Sequence, residues 1–339
     1  MKARNHNLDL MRVALCIFVV AFHSLYHFGI ENDLVYEIIG MLLVSANGLF
    51  YMISGYFNLE KEFNDSSDIK EYYKKRFIDI IFPFLAFVFV WTVWDYVHET
   101  GQFNLIEILS TYFEAVVDTS SQGHMWFMYP FFGLLLSTPF LSKMLHHMDE
   151  KELKILWYMA LGYHAVSYFL CYDQGIGFAF MCWIMEGWAI YYFAGYYYRH
   201  IISKESSVKW AILGVLGYVL TILGNQGFLP FFETFLDASS IQPLFTIYCV
   251  GCFMFWDKAI KIKDGVFAKI ITFLSKNTYM VYLYHLRGME YVIRKLSLTE
   301  YNFVSGLIVV VGGYAVSLLM AYVTNLCLKP VQKLLNKVL

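Results

Sequence analysis

"LDLMRVALCIFVVAFHSLYHFG", Leu8 to Gly29, is apolar and long enough to cross a bilayer, for which about 20 residues suffice. It nevertheless carries Asp9, Arg12, His23 and His27. A charge at the centre of a membrane helix costs roughly 2.5–3.5 kcal/mol even on the most lenient scale, so such residues face a bundle interior or a polar passage and mark a pathway or a site. Arg12 and His23 are eleven positions apart. At 100° per residue this is close to three full turns, placing both on one helix face about 16 Å apart along the axis. His27 continues the face one turn on. Asp9, three residues before Arg12, is placed to orient the guanidinium by a charge-assisted hydrogen bond.

The composition extends the membrane reading to the whole chain. Of 339 residues, 59% are hydrophobic and 15% charged, against roughly 25% charged in soluble domains; mean hydropathy is +0.52. The net charge of −2 and the lack of a basic stripe give no reason to expect a nucleic-acid partner. The six cysteines, Cys16, Cys171, Cys182, Cys249, Cys252 and Cys327, lie in or beside apolar runs. The "CVGC" pair at Cys249 and Cys252 has no second pair or histidine to complete a ligand set, so packing thiols are expected, and no metal site. His23 and His27 likewise lack an evident third ligand. The N-terminal apolar run is too long for a cleaved signal peptide.

Ten apolar stretches are read as spans: 8–29, 36–57, 77–97, 124–145, 153–171, 179–198, 208–226, 241–257, 267–286 and 302–327. The sixth carries Glu186 near its middle, an acid that needs a partner in lipid. "FNLIEILSTYFEAVV", Phe103 to Val117, has the spaced acids of an interfacial amphipathic helix. With a cytoplasmic N-terminus, twenty basic residues fall on the inner side and three, Arg287, Arg294 and Lys295, on the outer, a strong positive-inside bias. The expected fold is an all-α integral membrane bundle of ten transmembrane helices with both termini cytoplasmic. It forms a single domain over 1–339 with no appended soluble domain.

"LDLMRVALCIFVVAFH" resembles the opening of the acyltransferase-3 family of ten-span membrane acyltransferases, in which an Asp-containing motif is followed by Arg, ten residues and His. "LFYMISGYF" (Leu49 to Phe57), "YYKKRFIDIIFP" (Tyr72 to Pro83), "HMWFM" (His124 to Met128), "YYFAGYY" (Tyr191 to Tyr197) and "LSKNTYMVYLYH" (Leu274 to His285) resemble further family motifs in the same order. Two positions depart from the pattern: Asp79 stands where a second arginine is usual, and Gly48 where many members carry an acid or proline.

The resemblance implies a multi-pass protein of the bacterial cytoplasmic membrane that uses acyl-CoA, usually acetyl-CoA, as donor substrate and holds no bound cofactor. The acceptor it implies is a hydroxyl of a cell-surface glycan, free or lipid-linked. Arg12, Lys75, Arg76, Ser54, Gly55 and Tyr56 are the expected acyl-CoA residues, since phosphates call for cations and Gly55 permits close backbone approach; Arg12 and Asp9 are also expected in the catalytic set with His23. His23 is the expected base on the acceptor hydroxyl or the covalent acyl relay. His124, Trp126, Phe127, Tyr282, His285 and Glu186 are expected on the acceptor side. A serine-type small-molecule transporter of the same fold and a non-catalytic membrane scaffold are the competing readings; CoA binding separates the first from the enzyme, and His23→Ala the second. The sequence leaves the oligomeric state open.

Overall fold

A computed structural model of the chain describes residues 4–27, 34–117, 124–170, 187–228, 242–300 and 302–339. No strand occurs among the described residues. The helices are α1 (His6–His27), α2 (Leu34–Asn58), α3 (Ser66–Arg76), α4 (Phe82–Thr100), α5 (Leu105–Val117), α6 (Met128–His146), α7 (Glu150–Tyr168), α8 (Trp188–His200), α9 (Ser207–Asn225), α10 (Pro243–Lys258), α11 (Val266–Leu296) and α12 (Phe303–Val338).

Polar residues at the ends set these boundaries. Asp65 accepts from Ser67 N and Asp68 N to start α3, and Asp149 forms a reciprocal capping box with Glu152 at α7; each satisfies helix N–H groups that have no intrahelical partner. Gly101, at φ 67°, closes α4 in the left-handed region that glycine adopts without a Cβ penalty.

Six stretches are long and apolar enough to cross a membrane: His6–His27, Glu37–Asn58, Ser66–Thr100, His124–His146, Ser207–Asn225 and Phe303–Val338. Apolar side chains such as Val90 and Trp94 on α4, Ile212 and Val215 on α9, and Leu307 and Val311 on α12 point outward. In water such faces would be left bare; in lipid they are solvated. The chain is therefore an all-helical integral membrane protein. The other four expected spans coincide with α7, whose first turn is charged, with α8, described from Trp188 onward, with the 16-residue α10, and with the 31-residue α11, which carries Lys269, Lys276, Arg287, Glu290, Arg294 and Lys295.

The helix that carries the third expected span begins 11 residues before it, with the charged turns of α3. α3 and α4 join through a five-residue π-helical stretch, Phe77–Ile81, making Ser66–Thr100 one 35-residue helix. Pro83 supplies the reason. In a regular helix its ring would meet the carbonyl four residues back, on Asp79. The wider π turn, closed by Phe82 N on the Phe77 carbonyl, absorbs the mismatch.

The chain forms two compact units, Met1–Glu62 with Thr138–Leu318, and Phe63–Ser137 with Leu319–Leu339. In the second, α5 packs on α4: Tyr112 stands edge-on to Phe89, ring centroids 5.4 Å apart, and donates to the Leu85 carbonyl at 3.4 Å. The expected amphipathic helix is thus present as α5, its Ile106, Leu109 and Phe113 exposed and its Ile108 and Ala115 buried.

In the first unit, α1 packs against α2 and α11, α2 against α8, and α9 against α10. Glycines set the α2–α8 distance. A Cβ on Gly55 would lie 1.8 Å from the Tyr192 carbonyl oxygen, and one on Gly195 would lie 2.0 Å from that of Met52. The two helices touch backbone to backbone, as small residues allow between membrane helices. The "CVGC" segment serves the same purpose: a Cβ on Gly251 would fall 2.7 Å from the Trp210 carbonyl. Cys249 and Cys252 are free thiols beside that contact.

Candidate active site

α1 and α11 run side by side in one direction, and three contacts fix their register. Asp9 accepts from Ser275 Oγ at 2.9 Å, Cys16 Sγ reaches the Thr278 carbonyl at 3.7 Å, and His23 meets His285 with ring centroids 4.9 Å apart. α11 therefore lies along the Asp9, Cys16 and His23 side of α1, while Arg12 turns to Phe57 at the end of α2.

At the first end Asp9 is 1% exposed. Its carboxylate receives Arg4 through Nε at 2.5 Å and Nη2 at 3.1 Å, Arg12 Nη1 at 3.2 Å and Ser275 Oγ at 2.9 Å. His6 Nδ1 stands 3.8 Å away. A buried carboxylate is tolerable only when paired and hydrogen-bonded, and here two guanidinium groups and a hydroxyl do both. Arg12 keeps a side-chain exposure of 26% and lies 5.0 Å above the Phe57 ring. Apart from the bond to Asp9 its donors have no protein partner among the described residues. A guanidinium has five N–H donors in a planar fork, so Arg12 is a fixed cation with most of its donors unspent, suited to an anion or a polarised carbonyl.

The same end of the unit holds residues that sequence reasoning passed over. Arg199 sits 4.8 Å over the Tyr56 ring, donates to the Tyr56 carbonyl at 3.2 Å and pairs with Glu60 at 3.0 Å. Glu60 also contacts His200 Nε2 at 2.9 Å. Tyr198 donates to Asp257 at 2.7 Å, and Asn5 Nδ2 reaches the same carboxylate at 3.4 Å. The start of α1, the ends of α2, α8 and α10 and the start of α11 thus meet in one polar layer. Tyr56 stands in it half-buried, and Ser54 lies two residues earlier, also half-buried. Gly55 is committed to the Tyr192 backbone: the close approach it permits is that of α8.

At the other end the setting is sparse. His23 has ring contacts with Phe22, at 5.8 Å, and His285, and neither ring nitrogen has a protein hydrogen-bond partner among the described residues. His285 is fully buried and its Nδ1 lies 2.5 Å from the Tyr282 carbonyl. A carbonyl only accepts, so Nδ1 carries the proton and Nε2 holds the lone pair of the neutral ring. Tyr282 packs on His285 at 5.6 Å. Behind the pair, Val20, Met289 and Val309 form a buried cluster with Tyr314 against it. A Cβ on Gly288 would fall 2.1 Å from Ser317 Oγ, so the turn of α11 that carries His285 is packed tightly against α12.

Lys75 and Arg76 belong to the second unit, where Arg76 covers the Tyr72 ring at 4.9 Å. So do His124, Trp126 and Phe127, on a tight turn over residues 124–127. His124 is buried and Trp126 is 37% exposed, its ring edge-on to Phe127 at 6.1 Å. Glu186 lies outside the described residues.

The sequence matches the family model described as an acyltransferase domain over residues 5–326, nearly the whole chain. Comparison with curated proteins and with solved structures gave no match. The matched range holds both the Asp9–Arg12 layer and the His23–His285 pair. The chain belongs to the acyltransferase-3 family and is a multi-pass membrane acyltransferase.

Proposed function

We propose that the protein moves an acyl group, most simply acetyl, from cytoplasmic acyl-CoA to a hydroxyl of a cell-surface glycan, through a passage along α1 in the bacterial cytoplasmic membrane. The observation that carries this reading is the division of one α1 face between a cation with donors unspent among the described residues, Arg12, and an imidazole whose nitrogens have no hydrogen-bond partner among them, His23. They stand about three helical turns apart, roughly 16 Å, a distance that an extended pantetheine arm spans. Arg12, held by Asp9, takes a phosphate of the donor; the polar layer around it is the inner mouth. The positive-inside bias of twenty basic residues against three puts that layer on the cytoplasmic side, with ten spans and both termini inside.

His23 then serves the transfer in one of two ways. As general base it accepts the proton of the acceptor hydroxyl while that oxygen attacks the thioester carbon; the C–O bond forms, the C–S bond breaks, and the proton passes to the CoA thiolate. As relay its nitrogen attacks first: the N–C bond forms, the C–S bond breaks and CoA leaves as the thiolate; the hydroxyl oxygen then attacks the acyl carbon, the N–C bond breaks, and the hydroxyl proton passes to the CoA thiolate. Tyr282 in the first unit is assigned to the acceptor; His124, Trp126 and Phe127, in the second unit, are separate acceptor-side candidates. The test is purified protein in lipid nanodiscs with acetyl-CoA labelled in the acetyl group and a panel of glycan acceptors. Label transferred to glycan with stoichiometric CoA release is expected. Binding of serine-sized solutes without any CoA binding would overturn the reading in favour of transport.

A further inference from the structure

In either form of the reaction the His23 ring becomes cationic as one nitrogen takes a proton or an acyl group. Its second nitrogen then carries an N–H that must find an acceptor, because an unmet imidazolium donor in a water-poor bundle is costly. His285 stands beside it. The His23 and His285 rings are 4.9 Å apart between centroids with their planes tilted by 43°. A ring nitrogen lies about 1.1 Å from the centroid, so turning the rings edge to edge leaves roughly 2.7–3 Å between facing nitrogens, a hydrogen-bond distance.

We infer that His285 is the positioning partner of His23: its Nε2 accepts the His23 ring N–H as that imidazole becomes cationic during acyl transfer. Three features of the structure prepare it for this. The bond from Nδ1 to the Tyr282 carbonyl fixes the tautomer that leaves Nε2 as acceptor. Full burial keeps His285 away from bulk water and directs it to its neighbour. The tight contact of Gly288 with Ser317 on α12 holds that turn of α11 in place. The arrangement has the logic of a base oriented by a third group, with a neutral imidazole where a carboxylate usually stands, which avoids burying a further charge. This assignment moves His285 from the acceptor pocket to the base, and it rests on the transfer reading above.

The experiment pairs kinetics with spectroscopy on the full chain in nanodiscs. His285→Asn keeps a donor at the Nδ1 position but removes Nε2; His285→Gln places an acceptor oxygen near the Nε2 position. Expected are a kcat loss of about 10²-fold in His285→Asn, recovery to within about tenfold of wild type in His285→Gln, and an unchanged KM for acetyl-CoA in both. Imidazole 15N spectra of histidine-labelled protein give a second readout that needs no turnover. The His23 nitrogen signals shift between wild type and His285→Asn, and the wild-type His285 spectrum shows a protonated Nδ1 with a bare Nε2. Equal losses in the Asn and Gln variants with unmoved His23 signals would overturn the pairing and leave His285 a packing residue. If wild type transferred no acyl group to any acceptor, the transfer reading would fall, and unmoved His23 signals would separately end the pairing.

Discussion

The N-terminal end of α1 is crowded with charge, and the end three turns away is nearly bare. Asp9 receives two guanidinium groups and a hydroxyl, and around it Glu60, Arg199, Tyr198 and Asp257 are tied to one another. Among the described residues His23 has ring contacts but no hydrogen bond. A buried ion cluster is stable only when every member is met, so the first end is rigid. A base or nucleophile must keep a nitrogen open for substrate, so the second end is unfinished until substrate arrives. The contrast teaches that one helix can hold a preorganised anion seat and an open reaction centre when its neighbours fix it at both, α11 at Asp9 and His23 and α2 at Arg12.

Removing Asp9 strikes the crowded end hardest. Asp9→Ala leaves Arg4 and Arg12 without their shared counterion, and loss of one partner of a buried pair costs about 3–5 kcal/mol. Thermal unfolding in detergent is expected to show a drop of many degrees, and Asp9→Asn a smaller one. An unshifted transition would mean the cluster does not hold α1.

Gly55→Ala tests the scaffold common to both ends. With the Tyr192 carbonyl 1.8 Å from the new methyl, α2 and α8 must separate, and overpacking of this kind costs about 1–3 kcal/mol or more. Reduced yield of folded protein is expected, against little change in Gly162→Ala, where a Cβ meets nothing within 4 Å.

Arg12→Ala sharpens the contrast, since it empties the anion seat while leaving Arg4 on Asp9. A charge-assisted hydrogen bond is worth about 1.5–3 kcal/mol, so the KM for acetyl-CoA should rise about 10- to 100-fold. Arg12→Lys, which keeps the charge but not the fork, should recover part of it. An unchanged KM would remove Arg12 from the donor site.

The smallest effect lies outside both ends. The hydrogen bond from Lys154 to Glu150, 2.7 Å long, holds the Glu150 carboxyl below its ordinary range. What the pair adds is present at neutral pH and is lost as pH falls through that lowered value. Both groups are solvated, and exposed pairs contribute little, so Lys154→Ala should leave the melting temperature unmoved at pH 7.

Much of this was legible from residues alone. The i+3 spacing placed Asp9 on Arg12, as found, and the eleven-residue interval from Arg12 to His23 put them on one face of α1. Phe103 to Val117 read as an amphipathic helix because its acids and apolar residues alternate with a helical period. What stayed hidden was contact between distant segments. Ser275 and His285 lie more than 260 positions from Asp9 and His23, and no local pattern reports which helix lies beside which. Gly55 offered two uses for a missing Cβ, a ligand or a helix, and only the approach of Tyr192 decides between them. Arg199 read as one more inner-side charge because its partner, Glu60, is remote in the chain. The early start of the third helix was obscured because Ser66–Arg76 is polar and charged, so hydropathy opens the span only at Phe77.

The most direct measurement uses protein oriented in sealed vesicles, with labelled acetyl-CoA on the cytoplasmic face alone and glycan acceptor on the other. The account predicts label on the external glycan with wild type and a loss of roughly 10²–10⁴-fold with His23→Ala at unchanged thermal stability. Label transferred equally well by the folded His23→Ala protein would contradict it.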